Sequence, residues 1–185
     1  TGNLEKLICS GHLVIWSFGQ NVFRINSNNH MKVSIDKQMK LSQHFTLGEM
    51  TKTSHKTKDG NIPSHVAIEN LKRLCGWLEM LRSEWNKRYG EGNDPIIINS
   101  GYRSWEVNKR VGGSSTSNHL VGCAADIKCI GKEQAMRYAV ILLDIADQAQ
   151  DDFDELIIEV RGLRVWVHFA VRPKGNRRRI VFDVK

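Results

Sequence analysis

The chain has no Cys-x-x-Cys pair, no apolar run long enough to cross a membrane, no internal repeat and no low-complexity segment. Each absence removes a class of protein. Without paired cysteines a cysteine-held zinc site is excluded. Cys9, Cys75, Cys123 and Cys129 read instead as reduced, buried thiols made in a reducing compartment. Placed on one strand, Cys123 and Cys129 stand about 20 Å apart, beyond disulfide reach. A transmembrane helix needs about 20 consecutive apolar residues, and no such run occurs. Acidic residues are in deficit, 20 against 27 basic, for a net charge of +7. Much of the excess lies toward the end, in Arg161, Arg164, Arg172, Lys174, Arg177, Arg178 and Arg179. That balance favours an anionic partner: nucleic acid, a membrane surface or an acidic cell-wall polymer. Nucleic acid ranks last, because the basic residues have no interleaved aromatics.

A signal peptide is not expected. The apolar patch Leu13-Val14-Ile15-Trp16 follows Ser10, Gly11 and His12, without a basic start or a small-residue cleavage site. Residues 1–30 read as an N-terminal extension unlike the rest, with Met31 as the expected natural start. Residues 31–185 read as a single domain, long enough to bury a proper core.

Within that domain the elements are legible. Thr46, with Glu49 three residues on, forms a capping box at the start of a short entry helix. Pro63-Ser64 opens a long helix to the region of Tyr89-Gly90, with Val66, Ile68, Leu71, Leu74, Cys75, Leu78, Leu81 and Trp85 as its inward stripe. Ile96-Ile97-Ile98 reads as a short buried strand after the Gly92–Pro95 turn. Lys132 to about Gln148 forms a second helix, with Ala135, Tyr138, Ala139, Leu142, Leu143 and Ala146 inward. Three strands follow, Glu155–Val160, Leu163–Val171 and Arg179–Val184, the first two joined as a hairpin at Arg161-Gly162. The expected fold is α+β, a small antiparallel sheet packed against two main helices.

The chemistry concentrates in Ser117-Asn118-His119-Leu120-Val121-Gly122-Cys123-Ala124-Ala125-Asp126 and, downstream, Trp166-Val167-His168. His119, Asp126 and His168 supply two imidazoles and a carboxylate, a donor set that suits zinc with a position left open for water. Seven positions apart, His119 and Asp126 would be separated by roughly 10 Å on a helix and by more than about 20 Å on a straight strand. To share an ion the chain must turn between them. Gly122 is the residue able to take the left-handed conformation there, placing His119 in a loop and Asp126 on a strand from Cys123 to Ile130. On the late hairpin, alternation puts Trp166 and His168 on one face with Glu155, Ile157 and Glu159. Leu156, Ile158, Val160, Val165, Val167, Phe169 and Val171 then form the core face. Two glutamates thus share the side of His168. The remaining histidines, His12, His30, His44, His55 and His65, read as structural or surface residues.

Taken in order, Ser100-Gly101-Tyr102-Arg103-Ser104, Asn108, Gly112-Gly113-Ser114, Ser117-x-His119-x-x-Gly122-x-Ala124-x-Asp126 and Trp166-Val167-His168 resemble the zinc D-Ala-D-Ala carboxypeptidases and related murein peptidases, the LAS metallopeptidases. Phe153-Asp154-Glu155-Leu156-Ile157-Ile158-Glu159 resembles a branch common among phage lysins and bacterial wall peptidases. The likeness runs from about Leu41 to Arg179. It implies that His119, Asp126 and His168 hold zinc, that Arg103 binds the substrate's carboxylate or the scissile carbonyl, and that Ser117 hydrogen-bonds the peptide. Where some relatives carry a base just before the last histidine, this chain has Arg164, Val165 and Trp166, none able to accept a proton. The role moves to Glu159, with Glu155 as the reserve base. Tyr102 and Trp166 fit packing as well as substrate contact, and Asp154 a turn or a supporting acceptor.

The implied function is zinc-dependent hydrolysis of a D-Ala-containing peptide bond in peptidoglycan stems or cross-links, as carboxypeptidase, endopeptidase or endolysin. The setting would be the periplasm or cell wall, with cytoplasmic synthesis and phage-type release in the absence of a signal. Anionic cell-wall polymers are further expected partners. The alternative is a non-catalytic zinc-containing cell-wall-binding or signalling module of the same fold, such as the Hedgehog signalling domain.

Overall fold

The computed structural model describes residues 35–58 and 60–184 with their side chains, preceded by the backbone of four strands. These are β1 (Glu5–Cys9), β2 (Leu13–Phe18), β3 (Asn21–Ile25) and β4 (Met31–Ile35), an antiparallel sheet in sequence order. The expected division between residues 30 and 31 falls between β3 and β4 of this one sheet. The side chains of Cys9, His12 and His30 lie outside the described residues.

The second sheet carries the chemistry. It comprises β5 (Ile98–Ser100), β6 (Ala124–Cys129), β7 (Glu155–Arg161), β8 (Arg164–Ala170) and β9 (Arg179–Val184), in the order β5-β6-β8-β7-β9. Four strands pair antiparallel, but β9 runs parallel to β7, so the sheet is mixed rather than antiparallel throughout. The segment between β8 and β9 carries the chain across β7 to its far edge, where a direct hairpin would have reversed it.

One face of the sheet is covered by α2 (His65–Arg88) and α4 (Lys132–Ala149). Helix α2 starts where the Ser64 hydroxyl accepts the Ala67 N–H at 3.2 Å, and Lys87 and Arg88 complement the dipole at its end. Its buried stripe of Ile68, Leu71, Leu74, Cys75, Leu78, Leu81 and Trp85 is as expected, but Val66 is 68% exposed. At about 100° per residue, Val66 lies on the far side of the helix from Ile68. On α4, Ile141 and Ile145 are buried beside the expected Ala135, Tyr138, Ala139, Leu142 and Ala146, while Leu143 is only half-buried. The Trp85 and Tyr138 rings meet edge to face at 4.8 Å between the helices, and Trp77 lies on Phe169 of the sheet.

The short helix α1 (Leu47–Met50) has the expected capping box, with reciprocal bonds between Thr46 and Glu49. The expected buried run Ile96–Ile98 is instead an edge. Ile96 is buried, Ile97 is 46% exposed, and the strand itself starts only at Ile98, after Pro95, which has no N–H to donate. Among the described residues Cys75, Cys123 and Cys129 are free and buried, and burial pushes all three thiols up.

Candidate metal centre

Three loops and two strands meet above the uncovered face of the sheet. Strand register sets the first relation: Asp126 on β6 lies opposite His168 on β8, and His168 opposite Ile157 on β7. Asp126 and His168, 42 residues apart, are thereby cross-strand neighbours. The hairpin joining β7 to β8 turns through Gly162 at φ 61°, one residue later than expected, and the face parity is unchanged.

His119 arrives from a 3-10 turn, Asn118–Val121, that ends at Gly122 with φ 73° and ψ 18°. Gly122 is needed for two reasons. Its backbone is left-handed, and a Cβ there would stand 2.4 Å from the Ala67 carbonyl oxygen on α2. Asn70 secures the same junction by donating to the Val121 carbonyl at 2.8 Å. Ser117, whose hydroxyl accepts the His119 N–H at 3.3 Å, opens the turn. The Arg103 N–H donates to the His119 carbonyl at 3.1 Å and the Tyr102 N–H to that of Met50 at 2.7 Å, pinning the Ser100–Ser104 segment between α1 and the turn. Helix α3 (Trp105–Arg110), capped by Ser104, follows, and its Asn108 amide donates to the Ser114 carbonyl at 2.8 Å to shape the loop entering the site.

The result is a buried cluster in which one atom each from His119, Asp126 and His168 lies within 4.8 Å of the others. His119 Nε2 and His168 Nδ1 sit 3.2 and 3.0 Å from the same oxygen, Asp126 Oδ1. The outer atoms are held from behind. His119 Nδ1 faces the Gly101 carbonyl at 2.6 Å, His168 Nε2 faces Glu155 Oε2 at 3.4 Å, and Asp126 Oδ2 accepts from Arg103. Each donor therefore turns one atom inward and has the other fixed by a further group, the arrangement that orients metal-binding side chains. Two nitrogens and one carboxylate oxygen fit zinc, with coordination positions left for water and substrate.

Electrostatics agree. Burial alone would raise the Asp126 carboxyl, but the neighbouring imidazoles outweigh it and hold the group well below the usual carboxylate range. Burial lowers His119, favouring the neutral imidazole a metal requires. Burial acts the same way on His168, yet its hydrogen bonds to the Asp126 and Glu155 carboxylates reverse the outcome and raise it to about 9.

The two glutamates flank His168 diagonally, two register positions to either side, and differ in what they touch. Glu155 uses both oxygens: Oε2 meets Asn118 at 2.9 Å and His168, and Oε1 meets Arg177 and Arg179 at 3.0 Å each. Among the described residues the Glu159 carboxylate has one polar partner, Arg161, through Oε2 at 3.2 Å, and its side chain is partly exposed. Arg103 bonds Asp126 and, through Nε, the Ser100 hydroxyl at 2.8 Å. Its Nη1 has no protein partner among the described residues. Trp166 sits beside Arg161, whose guanidinium lies 5.8 Å from the ring centre. His44 pairs with Glu79 at 2.7 Å on α2, away from the triad.

Three further residues support the site: Asp154 is the supporting acceptor expected of it, while Asn118 and Asn61 were not singled out from the sequence. Asn118, between Ser117 and His119, links Asp154, Glu155 and Arg172 through its amide. Asp154 is inaccessible to solvent and accepts from Arg172, Arg177 and Asn118. Asn61, at the end of a polar loop, accepts the Ser104 N–H at 2.7 Å and donates to the Thr51 and Tyr102 carbonyls. Adjacency to His119 was a signal for Asn118. Nothing local marked Asn61.

Two comparisons with known proteins bear on the centre. The family model of peptidase M15 matches residues 43–166, ending two residues short of His168, which the β6–β8 register supplies. A zinc D-Ala-D-Ala carboxypeptidase of Streptomyces albus G is similar to the chain, 31% identical over 84 residues. That alignment covers 45% of this chain and 31% of the relative, so the chain spans about a third of the length of the curated protein it matches. With the family match extending over more than half of the chain and including His119 and Asp126 of the His-Asp-His centre, the chain belongs to the peptidase M15 family.

Proposed function

We propose that the protein is a zinc-dependent peptidoglycan peptidase that hydrolyses a D-Ala-containing bond, as a carboxypeptidase or an endopeptidase acting at the cell wall or in the periplasm. One observation carries the reading: three buried donors converge, each fixed from behind, in a chain of the peptidase M15 family. The name of the Streptomyces relative supports the choice of substrate.

In this reading His119 Nε2, Asp126 and His168 Nδ1 would hold the zinc. A bound zinc ion supplies Lewis acidity, polarising the scissile carbonyl and making water more acidic. The remaining work falls to the chain itself. Glu159 accepts the proton of the attacking water and returns it to the leaving amine. Its Oε1 has no protein partner among the described residues and is free for that exchange. Glu155, with both oxygens engaged, positions His168 instead. The His168 hydrogen bond, ahead of the other influences, pushes its carboxyl down to about 2, far from a useful general base. Arg103 holds Asp126 and offers Nη1 to the carbonyl oxygen as negative charge develops there. The Ser117 hydroxyl, which accepts from His119, keeps its own proton for the substrate peptide.

The test is mass spectrometry of purified muropeptides after incubation with zinc-loaded protein. Cleavage of a D-Ala bond by the wild type, reduced by about 10²–10⁴-fold in Glu159→Gln, is the expected result. No cleavage of any stem or cross-link would refute the reading, and full activity in Glu159→Gln would remove that residue from the role.

A further inference from the structure

The chain's excess of positive charge is spent unevenly. In the basic C-terminal stretch, Arg161, Arg172, Arg177, Arg178 and Arg179 are all paired, with Glu159, Asp183, Asp154, Glu155, Asp147 and Asp152. Arg164 is not, and neither is Lys128 on β6, among the described residues. Both lie on the face of the sheet that carries the metal centre. Lys128 is two residues along β6 from Asp126 and opposite Trp166, and Arg164 is two residues along β8 from Trp166. Between them is a cleft of about 470 Å³ lined by Asn99, Asp126, Lys128, Leu163, Arg164 and Trp166. It opens directly onto a proposed metal ligand.

The opposite end of the same face is different. Beyond His168 the next pair on this face is Glu155 and Ala170, where Glu155 is tied to Arg177, Arg179 and Asn118. Charge there is already neutralised. Among the described residues, the strand cations of this face that lack an ion pair, Lys128 and Arg164, stand at the Trp166 end; Lys174, also unpaired, belongs to the loop after β8, beside Asn118 and Arg172.

We infer that this cleft is a subsite for an anionic group of the substrate, with Lys128 and Arg164 recognising a carboxylate and Trp166 supporting the adjoining chain. Two unpaired cations, an aromatic wall and a volume within the range of small-ligand sites meet the requirements of carboxylate recognition. Lys128 lies two strand residues, about 7 Å, from Asp126. The recognised carboxylate therefore sits about two residues from the scissile bond. The subsite rests on the proposed peptidase reading and narrows it to peptides with an acidic group at that distance.

The experiment uses pairs of stem-peptide fragments identical except for carboxylate or carboxamide, placed two residues to the amino or to the carboxyl side of the D-Ala bond. Two quantities are read: kcat/KM of the zinc-loaded protein, and the shift of the Trp166 indole N–H resonance during titration. The wild type should prefer one carboxylate peptide by about 10-fold or more, the factor associated with one charge-assisted hydrogen bond. Its Trp166 resonance should move and saturate with that peptide only. Lys128→Gln with Arg164→Gln should abolish the preference while cleaving the carboxamide as the wild type does. Cleavage without preference, or a Trp166 shift indifferent to the carboxylate, would overturn the subsite and leave the peptidase reading intact. A carboxylate-dependent shift without cleavage would support the subsite and refute the peptidase reading. Absence of both would overturn each.

Discussion

Gly122→Ala should be among the most damaging single-methyl additions in the chain, and Gly112→Ala isolates the reason. The two glycines have nearly the same φ, 73° and 72°. A left-handed conformation costs an L-residue about 1–2 kcal/mol, common to both substitutions. At Gly112 the new methyl meets nothing within 4 Å, so that cost is the whole effect. At Gly122 it would lie 2.4 Å from the Ala67 carbonyl oxygen and 3.1 Å from the carbonyl carbon. Neither neighbour can rotate away, because both belong to the backbone of α2. Relief requires the turn to lift off the helix, which strains the Asn70 bond to Val121. Overpacking of this kind costs about 1–3 kcal/mol, for a total of about 2–5 kcal/mol. In a domain of this size each kcal/mol lowers Tm by about 2–4 °C. Thermal unfolding of the metal-free proteins should therefore place Gly122→Ala about 2–12 °C below Gly112→Ala. Because His119 is three residues away on the lifted turn, only Gly122→Ala should also weaken zinc binding by calorimetry. Equal melting temperatures for the two variants would refute the claim that contact with α2 dictates this glycine.

Other consequences follow from the same bonds. Asp154→Asn removes a solvent-inaccessible carboxylate from Arg172 and Arg177, so it should destabilise by roughly 2–4 kcal/mol at pH 7 in denaturant titrations. Those partners hold the Asp154 carboxyl below its ordinary value despite burial. Its contribution is therefore present above about pH 4 and fades as pH falls through the lower folded value, so the gap to wild type should close in acid. For His168 the sign is opposite. Raised to about 9 in the metal-free protein, it stabilises fully below pH 6.5 and loses that contribution as pH rises to 9. Metal-free wild type should lose roughly 2–3 kcal/mol across that window, and His168→Gln should show no such loss. Glu155→Gln should lower zinc affinity about 10–100-fold in chelator competition, the usual effect of removing a group that orients a ligand.

What was legible in the sequence follows from how local the cause is. The capping box at Thr46, the Ser64 start of α2 and the turn at Gly122 depend on residues within a few positions of one another, and each is found. The alternation on β7 and β8 is equally local, so it placed Glu155, Glu159 and His168 on one face even with the turn displaced by a residue. Parity could not separate the two glutamates, because both are diagonal neighbours of His168. Only the arginines returning on β9 and the loop before it show that Glu155 is engaged on both oxygens. That return was itself hidden: nothing in Arg179–Val184 states that it will pair parallel with β7. Ile97 misled for a similar reason, since a run of three isoleucines reads as buried until Pro95 and an edge position expose the middle one. The pairing within the basic stretch was not legible either: most of its arginines close ion pairs with the chain's own acids, while Arg164 and Lys174 of the stretch, and Lys128 on β6, have no ion pair among the described residues.

The core also protects the geometry of the metal centre. Asp126 and His168 meet because β6 and β8 pair in one register, and a slip of one residue would turn both side chains to the opposite face. The same slip would bring Ile127, Val167 and Phe169, all fully buried, out toward solvent. Exposing each costs about 1.5–3 kcal/mol, so together they oppose the slip by roughly 5–9 kcal/mol, comparable to the whole stability of a typical domain. Burying the displaced carboxylate among α2 and α4 would add to that. The donors therefore need no metal to be brought together. The apolar face of the sheet holds them in register, and the bonds from Gly101, Glu155 and Arg103 have only to orient side chains already in place.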